Sequence, residues 1–173
     1  SKLMLQIVEG KKPVIAKVHG AAFAAGCQLV ASCDLAYSTS DAIFATPGVN
    51  IGLFCSTPMV ALSRKINRKR LMKMLLTGEP IKANYAKEIG LINDHFSKSK
   101  LNNEVLKIAK IIASKSSHTI EIGKQTFYNQ LEMPLRKAYL HTSKMMTKNM
   151  MASDAREGIS AFLEKRLPSW KNK

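Results

Sequence analysis

The sequence predicts an α/β fold with an all-helical C-terminal subdomain, and three observations carry that prediction. Up to residue 97, short β-prone runs are broken by Gly and Pro. From residue 98 onward, apolar residues recur at the spacing of amphipathic helices. The order in the first part is strand, turn, helix, strand, which is the alternation of an α/β layer. The 173 residues amount to one domain, long enough to bury a real core. Residues 1–97 form its sheet-bearing part and residues 98–173 its helical part.

Ser1–Gly10 reads as the end of an amphipathic helix. With no initiator Met, the chain is expected to start inside a longer parent. Pro13–Val18 is a buried strand, and Gly20 begins a turn whose small residues lead into a short helix, Gly26–Cys33. Asp34–Ser38 and Ile43–Ala45 are two further short strands. Thr57 followed by Pro58 signals a helix start, with a hydroxyl cap and Pro at the first helical position. The basic stretch Arg64–Lys73 runs into a helix closed by Gly78. A second turn ends at Gly90, and Leu91–Phe96 is an edge strand. Beyond it, Leu101–Lys115 carries Val105, Leu106, Ile108, Ala109, Ile111 and Ile112 at helical spacing. Helices follow over Thr119–Leu131, over Leu135–Met151 after Pro134, and from Ser153 to a stop at Pro168. Met145, Met146, Met150 and Met151 make a sulfur-rich stripe that suits core or subunit packing.

Composition narrows the function classes. The 27 basic against 12 acidic residues give +15, yet the lysines are spread out and only 6% of residues are aromatic. That argues against stacking platforms and against nucleic acid as partner, while the charge favours a phosphorylated ligand by steering. No apolar run reaches the roughly 18 residues of a membrane span. Cys27, Cys33 and Cys55 form no CxxC and have no neighbouring His, so they read as buried thiols in a reducing compartment, neither a disulfide framework nor a metal site.

The residues with most chemical content lie between Lys12 and Thr57. Ala21, Ala22, Ala24, Ala25 and Gly26 follow a strand and open a helix, so a ligand can approach the backbone closely. Free N–H groups in the first turn of a helix, backed by the macrodipole, stabilise developing negative charge. Donors of this kind aimed at an oxyanion are worth about 3–4 kcal/mol each. A second small-residue loop contains Pro47 and Gly48.

PVIAKVHGAAFAAGCQLVASCDLA, FATPGVNIGL, LMKMLLTGEPIKANYAKEIGLIND and DAREGISAFLEKRLPSW together resemble the crotonase (enoyl-CoA hydratase/isomerase) superfamily, in register from Ser1 to the C-terminus. The resemblance implies the later part of a crotonase-like ββα spiral followed by a helical trimerisation or lid subdomain. It also implies an acyl-CoA ligand with no further cofactor, a mitochondrial setting in fatty-acid metabolism, and a homotrimer or hexamer. Carried over position by position, it puts an oxyanion-hole amide on Ala25, with Ala24, Gly26, Gln28, Pro47 and Gly48 around the substrate. Hydratases have one glutamate after the Cys of the first motif and another after the Pro of the second loop. Here those positions are Gln28 and Gly48. Positioned acid–base groups contribute about 10²–10⁴ each, so efficient hydration is not expected.

The same resemblance implies that the second oxyanion amide and much of the coenzyme A surface lie upstream of Ser1. Asp34 reads as a cap on backbone N–H groups, Glu79 as a surface turn residue, His19 as a turn residue and Cys27 as an inert thiol. Ile159, Phe162 and Leu163 share one helix face that would cover an acyl pocket or a neighbouring subunit. Lys165 and Arg166 are surface cations within reach of a coenzyme A phosphate in that reading. The alternatives are hydrolysis, decarboxylation or isomerisation of an acyl-CoA on the same oxyanion hole, or a non-catalytic subunit of a crotonase oligomer.

Overall fold

The computed structural model describes residues 1–173. In chain order the elements are α1 (Lys2–Glu9), β1 (Ile15–Val18), β2 (Ala21–Phe23), α2 (Ala25–Ser32), β3 (Leu35–Thr39), β4 (Ile43–Ala45) and a 3₁₀ turn (Pro47–Ile51). Then come α3 (Ser56–Leu62), α4 (Arg68–Thr77), β5 (Ile81–Lys82), α5 (Ala83–Glu88), β6 (Asp94–Phe96), α6 (Lys98–Ala113), α7 (Ser117–Leu131), α8 (Leu135–Met150) and α9 (Ser153–Leu163). The mixed α/β class expected from the sequence is what the chain adopts. It divides into two compact units, residues 1–8 with 14–109 and residues 9–13 with 110–173. The change in sequence character at 97/98 marks the start of α6, and the first three turns of that helix belong with the sheets.

The first unit contains two three-stranded sheets. One is fully parallel in the order β1-β3-β6, with Ile15 opposite Leu35 and Tyr37 opposite Asp94. The other has the order β2-β4-β5. There β2 and β4 run parallel, with Phe23 opposite Ala45, and β5 returns antiparallel to β4. Its core gathers Cys27, Val30, Ala31, Phe44, Leu62, Leu75 and their neighbours. Small residues on α2 permit this close packing. Leu101 and Val105 of α6 bury against Tyr37, beside Phe96.

Three local expectations differ from what forms. Ala21–Phe23 is a strand, not part of a turn, because pairing with β4 satisfies its backbone groups. The helix after residue 55 begins at Ser56 with Cys55 at the N-cap, and no side chain caps it. Thr57 and Pro58 already lie inside its first turn. Ala83–Glu88 forms a helix where the sequence predicts only a turn, and Gly90 (φ 82°) follows it. By contrast, α4 ends as expected, with Gly78 closing it at φ 64°; its start is fixed by Asn67, which accepts from the Lys69 N–H at 3.1 Å.

In the second unit α7, α8 and α9 pack on one another. Lys124 is buried and donates to the Lys12 carbonyl at 2.9 Å. The last helix ends at Leu163, earlier than Pro168 would require. Lys165 takes φ 55°, its N–H donates to Phe162 O, and the Arg166 N–H donates to Ala161 O, closing a Schellman motif. The tail then turns back along its own helix. Asp154 accepts from the Lys171 and Asn172 N–H groups at 2.8 and 2.9 Å, and the Trp170 indole donates to Ser114 O at 2.8 Å. Burial pushes the Asp154 carboxyl up, but hydrogen bonds from Ser116 and the tail amides outweigh it and hold it below its ordinary value.

Candidate functional site

β2 and β4 run side by side and end together, so the two small-residue segments leave the same end of one strand pair. Carboxyl ends of parallel strands are a general location for ligand sites. From β2 the chain passes through Ala24 into α2; from β4 it passes through Thr46 into the 3₁₀ turn. Ala24 ties the two together, its N–H donating to Ala45 O at 2.9 Å, while its own carbonyl accepts from the Gln28 N–H at 2.9 Å. The structure thus brings Ala24, Ala25, Gly26 and Gln28 into one corner with Pro47 and Gly48.

Ala24 pays for this geometry. Its φ of 46° and ψ of −110° lie where a residue with a Cβ is strained and glycine is not. The chain turns at Ala24 from β2 directly into α2. Ala25 is exposed, Gly26 is half-buried, and neither N–H meets an acceptor in the chain. A Cβ added at Gly26 would have only Ala22 Cβ nearby, at 3.9 Å. The turn is open.

The second loop is closed. A Cβ at Gly48 would stand 2.6 Å from the Leu53 carbonyl oxygen and 3.0 Å from Cys55 Sγ. The Leu53 N–H donates to Gly48 O at 2.9 Å, and Gly52 takes φ 76° to bring the chain round. Position 48 therefore lacks a side chain and also lacks room for one. The sequence reading missed the parts of Leu53 and Cys55; the paired glycines at 48 and 52 are the only signal that would have flagged the fold-back.

Gln28 is buried at 7% exposure, and its carboxamide has no hydrogen-bond partner in the chain. Thr46 is fully buried and its hydroxyl is also unpaired. Cys27 is completely buried beside Cys55; burial first, and Cys55 second, push its thiol up to about 12. Such a thiol is not a nucleophile at neutral pH. The other titratable candidates lie elsewhere. Asp34 is at the far end of α2, where it accepts from the Val14 N–H at 2.7 Å. Glu79 and His19 are exposed in connecting segments, Glu79 after α4 and His19 between β1 and β2. Arg166 is engaged with Glu157 and Glu164, both at 2.6 Å. No group of three or more His, Cys, Asp or Glu side chains that could hold a metal ion occurs.

What the corner can do chemically is limited: the Ala25 and Gly26 N–H groups are unpaired donors, and the nearest polar side chain on α2, Gln28, is a neutral carboxamide. The whole chain, residues 1–173, matches the enoyl-CoA hydratase/isomerase family and belongs to it.

Among the proteins it resembles are those named enoyl-CoA hydratase domain-containing protein 3, mitochondrial. The human one is 51% identical over 170 residues, covering 98% of this chain and 56% of that protein. The Danio rerio one is 48% identical over 172 residues, covering 99% and 60%. The chain thus spans under two thirds of the length of these relatives. Its fold superposes on a crystal structure of an enoyl-CoA hydratase from Mycobacterium smegmatis with a TM-score of 0.96 at 49% identity, covering 97% of this chain and 65% of that one. No helix is long and apolar enough to cross a membrane.

Proposed function

We propose that this chain binds acyl-CoA thioesters through the Ala25 turn, within fatty-acid metabolism in the mitochondrion, and that it is not an efficient enoyl-CoA hydratase. The observation that carries the reading is the contrast at the corner. An unpaired N–H at Ala25 is available to a thioester carbonyl, while Gln28 cannot transfer a proton and Gly48 has neither a side chain nor space for one. The mitochondrial setting and the acyl-CoA ligand are supported by family membership and by the names of the relatives. The reading calls on no cofactor beyond the coenzyme A thioester itself.

The test uses full-length protein. Acyl-CoA binding by calorimetry, with enoyl-CoA hydration near background, is the expected pair of results. Undetectable binding at millimolar thioester, or hydration at rates normal for an enzyme, overturns the reading.

A second reading keeps the ligand and changes the outcome. Hydrolysis, decarboxylation or isomerisation needs a polarised carbonyl before it needs two carboxylates, and the Ala25 N–H supplies such polarisation. Turnover across an acyl-CoA panel decides between this and binding alone. The exposed apolar residues of α8 and α9, among them Leu140, Met146, Met150, Ile159, Phe162 and Leu163, support a homotrimer or hexamer, or membership of a crotonase oligomer as a non-catalytic subunit. Mass measurement in solution tests this, and a monomer at micromolar concentration counts against it.

A further inference from the structure

No Asp or Glu occurs between Asp41 and Glu79, and the cations of that stretch gather in Arg64–Lys73. Helix α4 carries the later ones. It turns Leu71, Met74 and Leu75 into the core. At 3.6 residues per turn, positions four apart stack along one line. Arg68, Met72 and Leu76 therefore form one outward row, and Lys69 and Lys73 form the row beside it. All five are exposed, Met72 at 48% and Leu76 at 62%. The outward face is an apolar stripe with cations around it.

Several cations elsewhere on the surface are neutralised. Lys11 meets Glu121 at 2.8 Å, and Lys87 meets Asp94 at 2.7 Å. On α4 itself, Arg70 is drawn aside by Glu88 at 3.1 Å and lies over the Tyr85 ring at 5.9 Å. Arg68, Lys69 and Lys73 have no ion-pair partner in the chain. Their charge is available to something outside it.

We propose that the outward face of α4 docks on an anionic lipid surface, with Met72 and Leu76 at the headgroup–acyl boundary and Arg68, Lys69 and Lys73 against lipid phosphates. Docking of this kind calls on no part of the Ala25 corner, so it stands apart from the acyl-thioester reading. A helix lying in a membrane interface needs apolar residues with Lys and Arg around them, because the two kinds of group are satisfied at different depths. Long basic side chains run their stems along apolar surface and leave their charged heads at the phosphates. A protein partner fits less well. Lys is depleted and aromatic residues are enriched in protein interfaces, and the two rows hold lysines and no aromatic residue. Nucleic acid fits less again, for the same rows offer its bases no ring to stack on.

The test sediments full-length protein with vesicles of phosphatidylcholine alone and of equal parts phosphatidylcholine and phosphatidylglycerol. Binding to the mixed vesicles only is expected, and it weakens as salt is raised. Lys69→Gln with Lys73→Gln is expected to lower vesicle affinity about thirtyfold, each cation near such a surface contributing about a factor of five. Lys100→Gln with Lys107→Gln makes the same change of charge on exposed lysines of α6. It is expected to lower affinity less than about threefold, because these lysines lie outside the docking face. Met72→Ser with Leu76→Ser is expected to cost about tenfold and to leave the melting temperature unchanged, both side chains being exposed. Absence of binding to mixed vesicles overturns the proposal. Equal weakening by the two lysine pairs also overturns it, since net charge alone would then hold the protein. A smaller particle mass for Met72→Ser with Leu76→Ser assigns the face to a second copy of this chain, and retention on polyglutamate without vesicle binding assigns it to an acidic protein. Either result overturns lipid docking.

Discussion

The turn that opens α2 and the loop that follows β4 begin from neighbouring strands and are both built of small residues, yet they solve opposite problems. At Gly26 the space beyond the Cα is nearly empty, with Ala22 Cβ at 3.9 Å the only neighbour. At Gly48 the same space is filled by the Leu53 carbonyl at 2.6 Å. One glycine leaves room for a ligand, and the other leaves room for the protein's own backbone. Small residues in a sequence do not say which is meant. The lesson for function is directional: the first segment retains what a carbonyl needs, while the second has folded over the place where a proton-transferring side chain would stand.

The largest effect that would break this contrast is a regain of hydration. Putting glutamates at both positions, Gln28→Glu with Gly48→Glu, is expected to leave hydratase activity at background, because the second carboxylate must displace Leu53 to enter. Recovery of even a hundredfold rate, measured on an enoyl-CoA, would show that the loop opens easily. Gly48→Ala alone isolates the steric part. It is expected to cost about 2 kcal/mol of stability by overpacking, read by denaturant unfolding. Ala24→Gly acts in the other direction. Relieving the positive φ of a residue with a Cβ is expected to add about 1 kcal/mol, and a loss instead would mean that the Cβ has a packing role. Gly26→Ala, in the open turn, is expected to change stability by less than about 0.5 kcal/mol; a loss comparable to that at Gly48 would erase the contrast.

Cys27, buried between the two segments, gives a pH test. Its thiol stays protonated in the folded chain until about 12, against an ordinary value of 9.0. Above pH 9 the unfolded chain releases this proton and the folded one does not. The contribution of Cys27 is therefore complete below pH 9 and falls as pH rises toward 12. The difference between the wild type and Cys27→Ala should shrink by about 1 kcal/mol by pH 10. In the native state at pH 8, iodoacetamide should leave Cys27 unlabelled; rapid labelling would show that the corner opens.

Much of this was legible in the residues. Alternating small and apolar stretches predicted β1, α2, β3 and β4 to within a residue or two, and Gly78 closes α4 as expected. Asp34 caps a backbone N–H as expected, and Glu79 is exposed on the surface. The misses share a cause. Ala21–Phe23, with two alanines, has little strand propensity of its own and becomes β2 by pairing with β4. The end of α9 is set by Lys165 in the left-handed region and by the returning tail, before Pro168 can act.

Local sequence settled which groups the corner contains. Ala25 at a helix start supplies a backbone donor, and Gln28 and Gly48 supply no carboxylate, since side-chain identity needs no coordinates. Tertiary structure alone decided which of them are available. The strain at Ala24, the unpaired burial of Gln28 and the filling of position 48 by Leu53 all depend on atoms distant in the chain or on backbone angles that composition does not encode. Hydrogen bonding and excluded volume act between neighbours in space, and those neighbours exist only once the strands have paired.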